Sequence, residues 1–198
     1  MRLRHIPILG LFLKYLNLYA GQGKPEHLHR VAPAPLWLDR VLVELIINLV
    51  FVALLFVAAG DGRHDLDFSG LAVSVFPSLL GFGIGVFALI FVLPDDFLTS
   101  LDKRSANTGV GSTLLVADMA FPLIYLAFGL AASAIIEEIW PSVWGQAVLL
   151  LIFLYGLTLV CDLISGIASA AYALRHRRGK QAQQEVEAVP DGEKKPEE

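Results

Sequence analysis

Apolar residues in this chain fall into long runs separated by short polar interruptions, and those runs set the first prediction. A helix needs about 20 mostly apolar residues to cross a hydrocarbon core roughly 30 Å thick. Four segments meet that length: Val41–Gly60, Leu71–Leu93, Thr113–Ile136, and a stretch within Gly145–Leu174 placed at about 147–172. No period-two alternation competes with them, and lipid tolerates only helices or closed barrels as spanning structures. The pattern predicts an all-α integral membrane protein, a four-transmembrane-helix bundle over residues 41–174.

The flanks read differently. Residues 1–40 begin with basic residues and an apolar run, as a signal peptide does, but Lys14 and Asn17 interrupt the run. A cleaved signal would also place the Arg30–Arg40 flank on the wrong side. A helix from Pro7 to Ala20 reaches only about 21 Å, too short to cross. It is expected as an N-terminal amphipathic helix lying in the interface or tucked under the bundle. Gly21–Pro35, rich in Gly, Pro and His, reads as a linker. Residues 175–198 turn from a basic patch (Arg175, Arg177, Arg178, Lys180) to an acidic run. With little apolar content, that segment is expected as a disordered tail.

Composition sharpens the class. Of 198 residues, 56% are hydrophobic and 17% charged, with mean hydropathy +0.63. A soluble domain carries roughly 25% charged residues, so a soluble enzyme, a basic nucleic-acid binder and a secreted disulfide scaffold are all excluded. The single cysteine, Cys161, lies in an apolar run and cannot form an intrachain disulfide.

Charge placement orients the spans. Arg2, Arg4, Lys14, Lys24, Arg30 and Arg40 precede the first span, Lys103 and Arg104 lie between the second and third, and the basic patch follows the fourth. The opposite side has only Arg63. By the positive-inside rule both termini are expected in the cytoplasm, which places the chain in the inner (cytoplasmic) membrane. Trp37, Trp140 and Trp144 fall at expected membrane–water boundaries, where an amphipathic ring is favoured. Lys14, Arg40, Arg175, Arg177 and Arg178 are the expected headgroup contacts of the lipid bilayer.

Within lipid, helices associate through close packing and interhelical hydrogen bonds. In the second span Ser74, Ser78, Gly81, Gly85 and Ala88 share one face, and Gly81 and Gly85 form a small-xxx-small pair. This face serves either packing within the bundle or a homo-oligomer interface. The third span carries Asp118, Pro122, Tyr125, Gly129 and Ser133 on one line, and the fourth Tyr155, Thr158, Asp162, Ser165 and Ser169. The first span adds Glu44 and Asn48, one turn apart. At 1.5 Å per residue, Asp118 and Glu44 lie about 9–10 Å to the cytoplasmic side of their midpoints and Asp162 about 4–5 Å. An ionised carboxylate at the bilayer centre costs on the order of 2.5–3.5 kcal/mol, so such groups face protein or water. Glu44, Asn48, Asp118, Pro122, Asp162 and Ser165 therefore form the candidate ion, proton or interhelical polar site. No Lys or Arg lies inside a span to pair with the acids. They either hold protons, bind a cation or recruit Lys103 and Arg104. The local alternatives are an ion pair of Glu44 with Arg40 and a boundary role for Asp118.

Glu26, His27 and His29 form a weak metal-like cluster, but a metal site needs more ligands in fixed geometry. Asp61, His64, Asp65 and Asp67 read as a solvated turn. No metal site and no cofactor is expected. Hydrolase, zinc-protease and nucleotide-binding motifs are missing from the sequence, and no histidine lies inside a span. The expectation is a non-enzymatic subunit that self-associates and works through a cytoplasmic protein partner. Its plan, without a shared motif, resembles that of the small four-span membrane subunits of some bacterial anti-phage and stress systems. The alternative is a proton- or cation-conducting channel or small transporter using Asp118 and Asp162.

Overall fold

The structure is a computed structural model that describes residues 7–60, 68–89, 92, 99 and 112–188. All regular secondary structure among them is helical. Helix α1 is Pro7–Ala20 and α2 is Ala34–Ala59; α3 is Phe68–Leu89, α4 Ser112–Ile139 and α5 Val143–Ala188. Among the described residues, four helices are long and apolar enough to cross a membrane: Ala34–Ala59, Phe68–Ala88, Val116–Ile139 and Val143–Ser169. The chain is a membrane-embedded, multi-pass helical protein. It divides into two compact units, Met1–Leu163 and Ile164–Glu198. The second unit is the continuation of α5, which remains helical to Ala188. The segment is rich in Ala, Arg, Gln, Glu and Lys, which lose little rotamer freedom in a helix, so local propensity suffices where no core forms.

Several boundaries differ from the sequence reading. The first span begins at Ala34, because Pro35 occupies the first turn, where a missing N–H costs nothing. One π turn, Leu38–Leu42, then carries the helix on into Val43–Ala59. Helix α1 ends at Ala20 in a left-handed turn: Gln22 has φ 57° and Gly23 φ 69°. The Gly23 N–H donates to the Leu18 carbonyl at 2.9 Å and that of Gln22 to Tyr19 at 3.1 Å, satisfying the last carbonyls of the helix.

The segment that follows is no loose linker. The Asn17 side chain donates to the carbonyls of His27 and of Arg30 (2.8 Å), and its Oδ1 accepts the Ala32 N–H at 2.8 Å. Gly21, Gly23, His27 and Ala32 are buried. The two linker histidines diverge, His27 buried and His29 exposed, and no cluster of metal-ligating side chains occurs among the described residues. The acidic turn of Asp61, His64, Asp65 and Asp67 lies outside the described residues, as do Arg63, Lys103 and Arg104.

Helix α1 packs on α4. Tyr19 stacks on Phe121 with centroids 4.7 Å apart, and Phe12 meets Phe121 at 6.0 Å and Phe128 at 5.0 Å. Around this seam Tyr19, Ala20, Val41, Phe121, Tyr155 and Leu159 form one buried cluster. A second, of Ala72, Phe76, Leu126 and Val160, lies between α3, α4 and α5. Phe76 occupies the space that two glycines leave: a Cβ on Gly129 or on Gly156 would sit 2.9 Å from its ring. The polar line read along α4 is thus largely a packing line. Pro122, Gly129 and Ser133 are buried, and Ser133 Oγ donates to the Gly129 carbonyl at 2.7 Å.

Side-chain hydrogen bonds tie the spans. Asn48, buried on α2, donates to Thr158 Oγ1 on α5 at 3.1 Å and to its own Glu44 carbonyl at 2.8 Å. Gln146 Oε1 on α5 accepts the Phe68 N–H at 3.0 Å, satisfying one free donor at the start of α3. Interhelical hydrogen bonds in membranes average about 0.6 kcal/mol and reach about 1.7. Asn48→Ala is therefore expected to lower stability by about 1 kcal/mol in reversible SDS unfolding. The Thr158→Ala, Asn48→Ala double variant should lose less than the sum of the two singles, because both break the same bond.

Candidate functional site

The polar residues of this fold gather where α1, α2, α4 and α5 meet, and Arg40 organises them. Arg40 sits in the π turn of α2. Its Nη2 lies 2.9 Å from Asp118 Oδ1 on α4, with the two side chains 26% and 31% exposed. Nη1 donates to the Tyr19 carbonyl at 3.1 Å, and the guanidinium carbon lies 4.6 Å from the centre of the Tyr19 ring. One cation thus neutralises a carboxylate, caps the C-terminus of α1 and rests on an aromatic face, three interactions that a planar guanidinium makes at once. Burial, then the negative charge of Glu44, pushes the Tyr19 phenol up, which keeps the ring neutral under its cation.

This arrangement corrects two expectations. The partner of Asp118 is Arg40, which the sequence reading assigned to lipid headgroups. Arg40 also makes its ion pair across helices with Asp118 rather than along its own helix with Glu44.

Glu44 finds a different neighbour. It stands one turn before Asn48, whose side chain bonds Thr158, and Thr158 stands one turn before Asp162 on α5. Glu44 Oε2 is buried and has no hydrogen-bond partner of its own. Tyr155 stands about two turns before Asp162 on α5. It is 5% exposed, and its hydroxyl likewise has no partner. Its ring meets Tyr125 edge-on at 5.1 Å, while the Tyr125 hydroxyl donates to the Ile152 carbonyl at 3.2 Å. Of the three acids, Asp118 is thus neutralised by Arg40, whereas Glu44 on α2 and Asp162 on α5 flank the Asn48–Thr158 bond. Asn48 is spent on Thr158 and the α2 backbone. Pro122 is buried in the packing line, and Ser165, in the second unit, is exposed.

The small-residue face of α3 is placed just as definitely. Ser74, Ser78, Gly81, Gly85 and Ala88 are all exposed, and a Cβ on Gly81 or Gly85 would meet nothing within 4 Å. The glycine that packs inside this chain is Gly83, where a Cβ would collide with Leu123 of α4. Among the boundary residues, Lys14, Trp140, Trp144 and Arg175 are exposed. Trp37 is half-buried with its indole N–H enclosed. Arg177 and Arg178 lie on α5.

Tyr155 and Tyr19 escaped the site reading, although Tyr155 stood on the polar line of α5. Their apolar rings look like core in the sequence, and only contact reveals what their hydroxyl and carbonyl oxygens face. No family model, curated protein or solved structure matches this chain.

Proposed function

We propose that the chain is a non-enzymatic multi-pass membrane subunit that self-associates through α3 and works through a cytoplasmic protein partner. The observation that carries this reading is the outward face of α3. Ser74, Ser78, Gly81, Gly85 and Ala88 run along it with open space over both glycines, while the inward face is filled by α4. Small residues in a span allow two backbones to approach closely, and in lipid that close packing is what drives association. The positive-inside distribution supports an inner-membrane location with both ends cytoplasmic. On that reading the cytoplasmic side carries the segment after α1 and the basic patch after the fourth span, suited to a soluble partner and to anionic headgroups.

Replacing both Gly81 and Gly85 by Leu tests it. Each side chain enters open space, so insertion and the fold of the single chain are expected to persist. Self-association, followed by energy transfer between labelled copies in vesicles, should weaken by about tenfold or more, equivalent to about 1.4 kcal/mol. Unchanged association with retained insertion contradicts the reading.

A second reading, conduction of protons or cations, is favoured by Glu44 and Asp162, since carboxyls within a span mark ion and proton pathways. Liposomes carrying a pH or cation reporter decide it: flux lost on Asp162→Asn supports conduction, and no flux with the unaltered chain rejects it.

A further inference from the structure

We infer that two copies of this chain are joined by a reciprocal pair of hydrogen bonds across α3, the Ser78 hydroxyl of each copy donating to the Val73 carbonyl of the other. This rests on the reading of α3 as the self-association face, and it names the polar contact which that face makes.

Pro77 creates the need for such a bond. It lies inside α3 and has no N–H, so the Val73 carbonyl one turn earlier loses the donor that a helix ordinarily gives it. Val73 is 47% exposed, and Pro77 is exposed as well. Val73 stands five residues, about 8 Å, inside the end of the span Phe68–Ala88, so its carbonyl lies at hydrocarbon depth. Water is scarce there, and prolines persist in spans because neighbouring helices or Ser and Thr side chains supply the missing donor. Among the described residues no side chain of this chain does so. The Ser74 hydroxyl, one residue on, donates to the Leu71 carbonyl of its own helix at 3.0 Å.

Helix geometry identifies the donor. Successive residues turn by about 100° around the axis. Ser74, Gly81, Gly85 and Ala88 therefore mark the middle of the outward face, with Pro77 about 50° to one side and Ser78 about 50° to the other. The Val73 carbonyl points along the helix toward Pro77 and opens on that side. Two copies inserted in the same sense pair about a two-fold axis along the membrane normal, which sets the Ser78 edge of each helix against the Pro77 edge of the other. A side chain tilts toward the start of its helix and a carbonyl toward the end, so the Ser78 hydroxyl drops toward the level to which the Val73 carbonyl rises. Open space over Gly81 and Gly85 lets the two backbones come close enough. Ser78 itself is exposed, and its hydroxyl makes no bond within the chain among the described residues.

The test is a double-variant cycle on the full-length chain in vesicles, with energy transfer between labelled copies followed over a series of lipid dilutions. Ser78→Ala removes both donors of a pair of copies and is expected to weaken association about tenfold, the loss of two interhelical bonds of average strength. Ser78→Thr keeps a hydroxyl and should stay within about twofold of the parent. Pro77→Ala restores the N–H inside the helix, satisfies the Val73 carbonyl from within, and should weaken association to a similar degree as Ser78→Ala. Adding Ser78→Ala to Pro77→Ala should then change nothing further, because both remove the same bonds. Both positions are exposed, so the single chain is expected to stay folded, which unchanged helical circular dichroism verifies. A Ser78→Ala chain that associates as the parent does overturns the pairing, and so does an equal further loss in the Pro77→Ala background. If Gly81→Leu with Gly85→Leu still breaks association in that case, the α3 interface stands and only the hydrogen bonds fall. An unaltered chain that does not self-associate overturns both.

Discussion

Arg40→Ala should be the most damaging single substitution in the chain, costing about 3 kcal/mol of stability. Removing one partner of a buried ion pair costs roughly 3–5 kcal/mol, because the other charge stays behind uncompensated, whereas a fully exposed pair is worth about 0–1. The Arg40–Asp118 pair is about a quarter to a third exposed and falls between those limits. Loss of the cation over Tyr19 and of the cap on its carbonyl adds to the cost. Reversible unfolding in mixed micelles checks the value. Arg40→Lys should recover only part of it, since an ammonium cannot serve the carboxylate, the carbonyl and the ring together. Asp118→Asn in the Arg40→Ala background should restore about 1–2 kcal/mol by removing the stranded charge. An Arg40→Ala chain within about 0.5 kcal/mol of the parent would mean that the pair contributes no more than an exposed one.

The second large effect belongs to the glycines around Phe76. Valine at Gly156 puts a Cβ where the ring of Phe76 already lies, 2.9 Å away, and the Leu126 side chain closes the same space at 3.4 Å. Gly129→Val meets Phe76 at 2.9 Å and Ile152 at 3.2 Å. Overpacking a well-filled core costs about 1–3 kcal/mol, and here the ring has α4 on one side and α5 on the other. Each valine is expected to cost about 2–3 kcal/mol on that scale and to loosen α3 from its neighbours. Phe76→Leu, which vacates the ring's far edge, should recover much of the loss in the Gly156→Val chain. The same valine at Gly81 or Gly85 should cost little within the single chain, because nothing there resists it. That contrast separates glycines that seat a side chain of this chain from glycines left open.

The spans were legible because crossing hydrocarbon is a demand on composition, and every run of sufficient length became a helix. Their ends were less so. Pro33–Trp37 looks like a boundary, yet Pro35 fits a first helical turn and the π turn at Leu38–Leu42 carries the helix on. The segment after Arg175 lacked the apolar content that folding into a core requires, but a helix that makes no core needs only residues with helical propensity. Site residues could be found by depth and polarity, which is why Glu44, Asp118 and Asp162 stood out. Their pairing could not. Whether Arg40 meets Glu44 on its own helix or Asp118 across a seam depends on how α2 and α4 lie against α1, and no spacing within one helix encodes that. The face of α3 shows the same limit. Spacing revealed a stripe of small residues but not its direction, and Gly83, two residues from either glycine, turned out to be the one packed inside.

Everything proposed for partners depends on the side of the membrane that each segment occupies, and single-cysteine labelling in intact cells measures this directly. With Cys161 replaced by Ser, cysteines at Lys14, Glu26 and Arg175 should react with a membrane-impermeant maleimide only after the cells are opened. Cysteines at Glu138, at the end of α4, and at Ser142, in the turn before α5, should react from outside before opening. Labelling of Lys14 and Arg175 positions from opposite faces would contradict the four-crossing arrangement, and with it the cytoplasmic subunit reading.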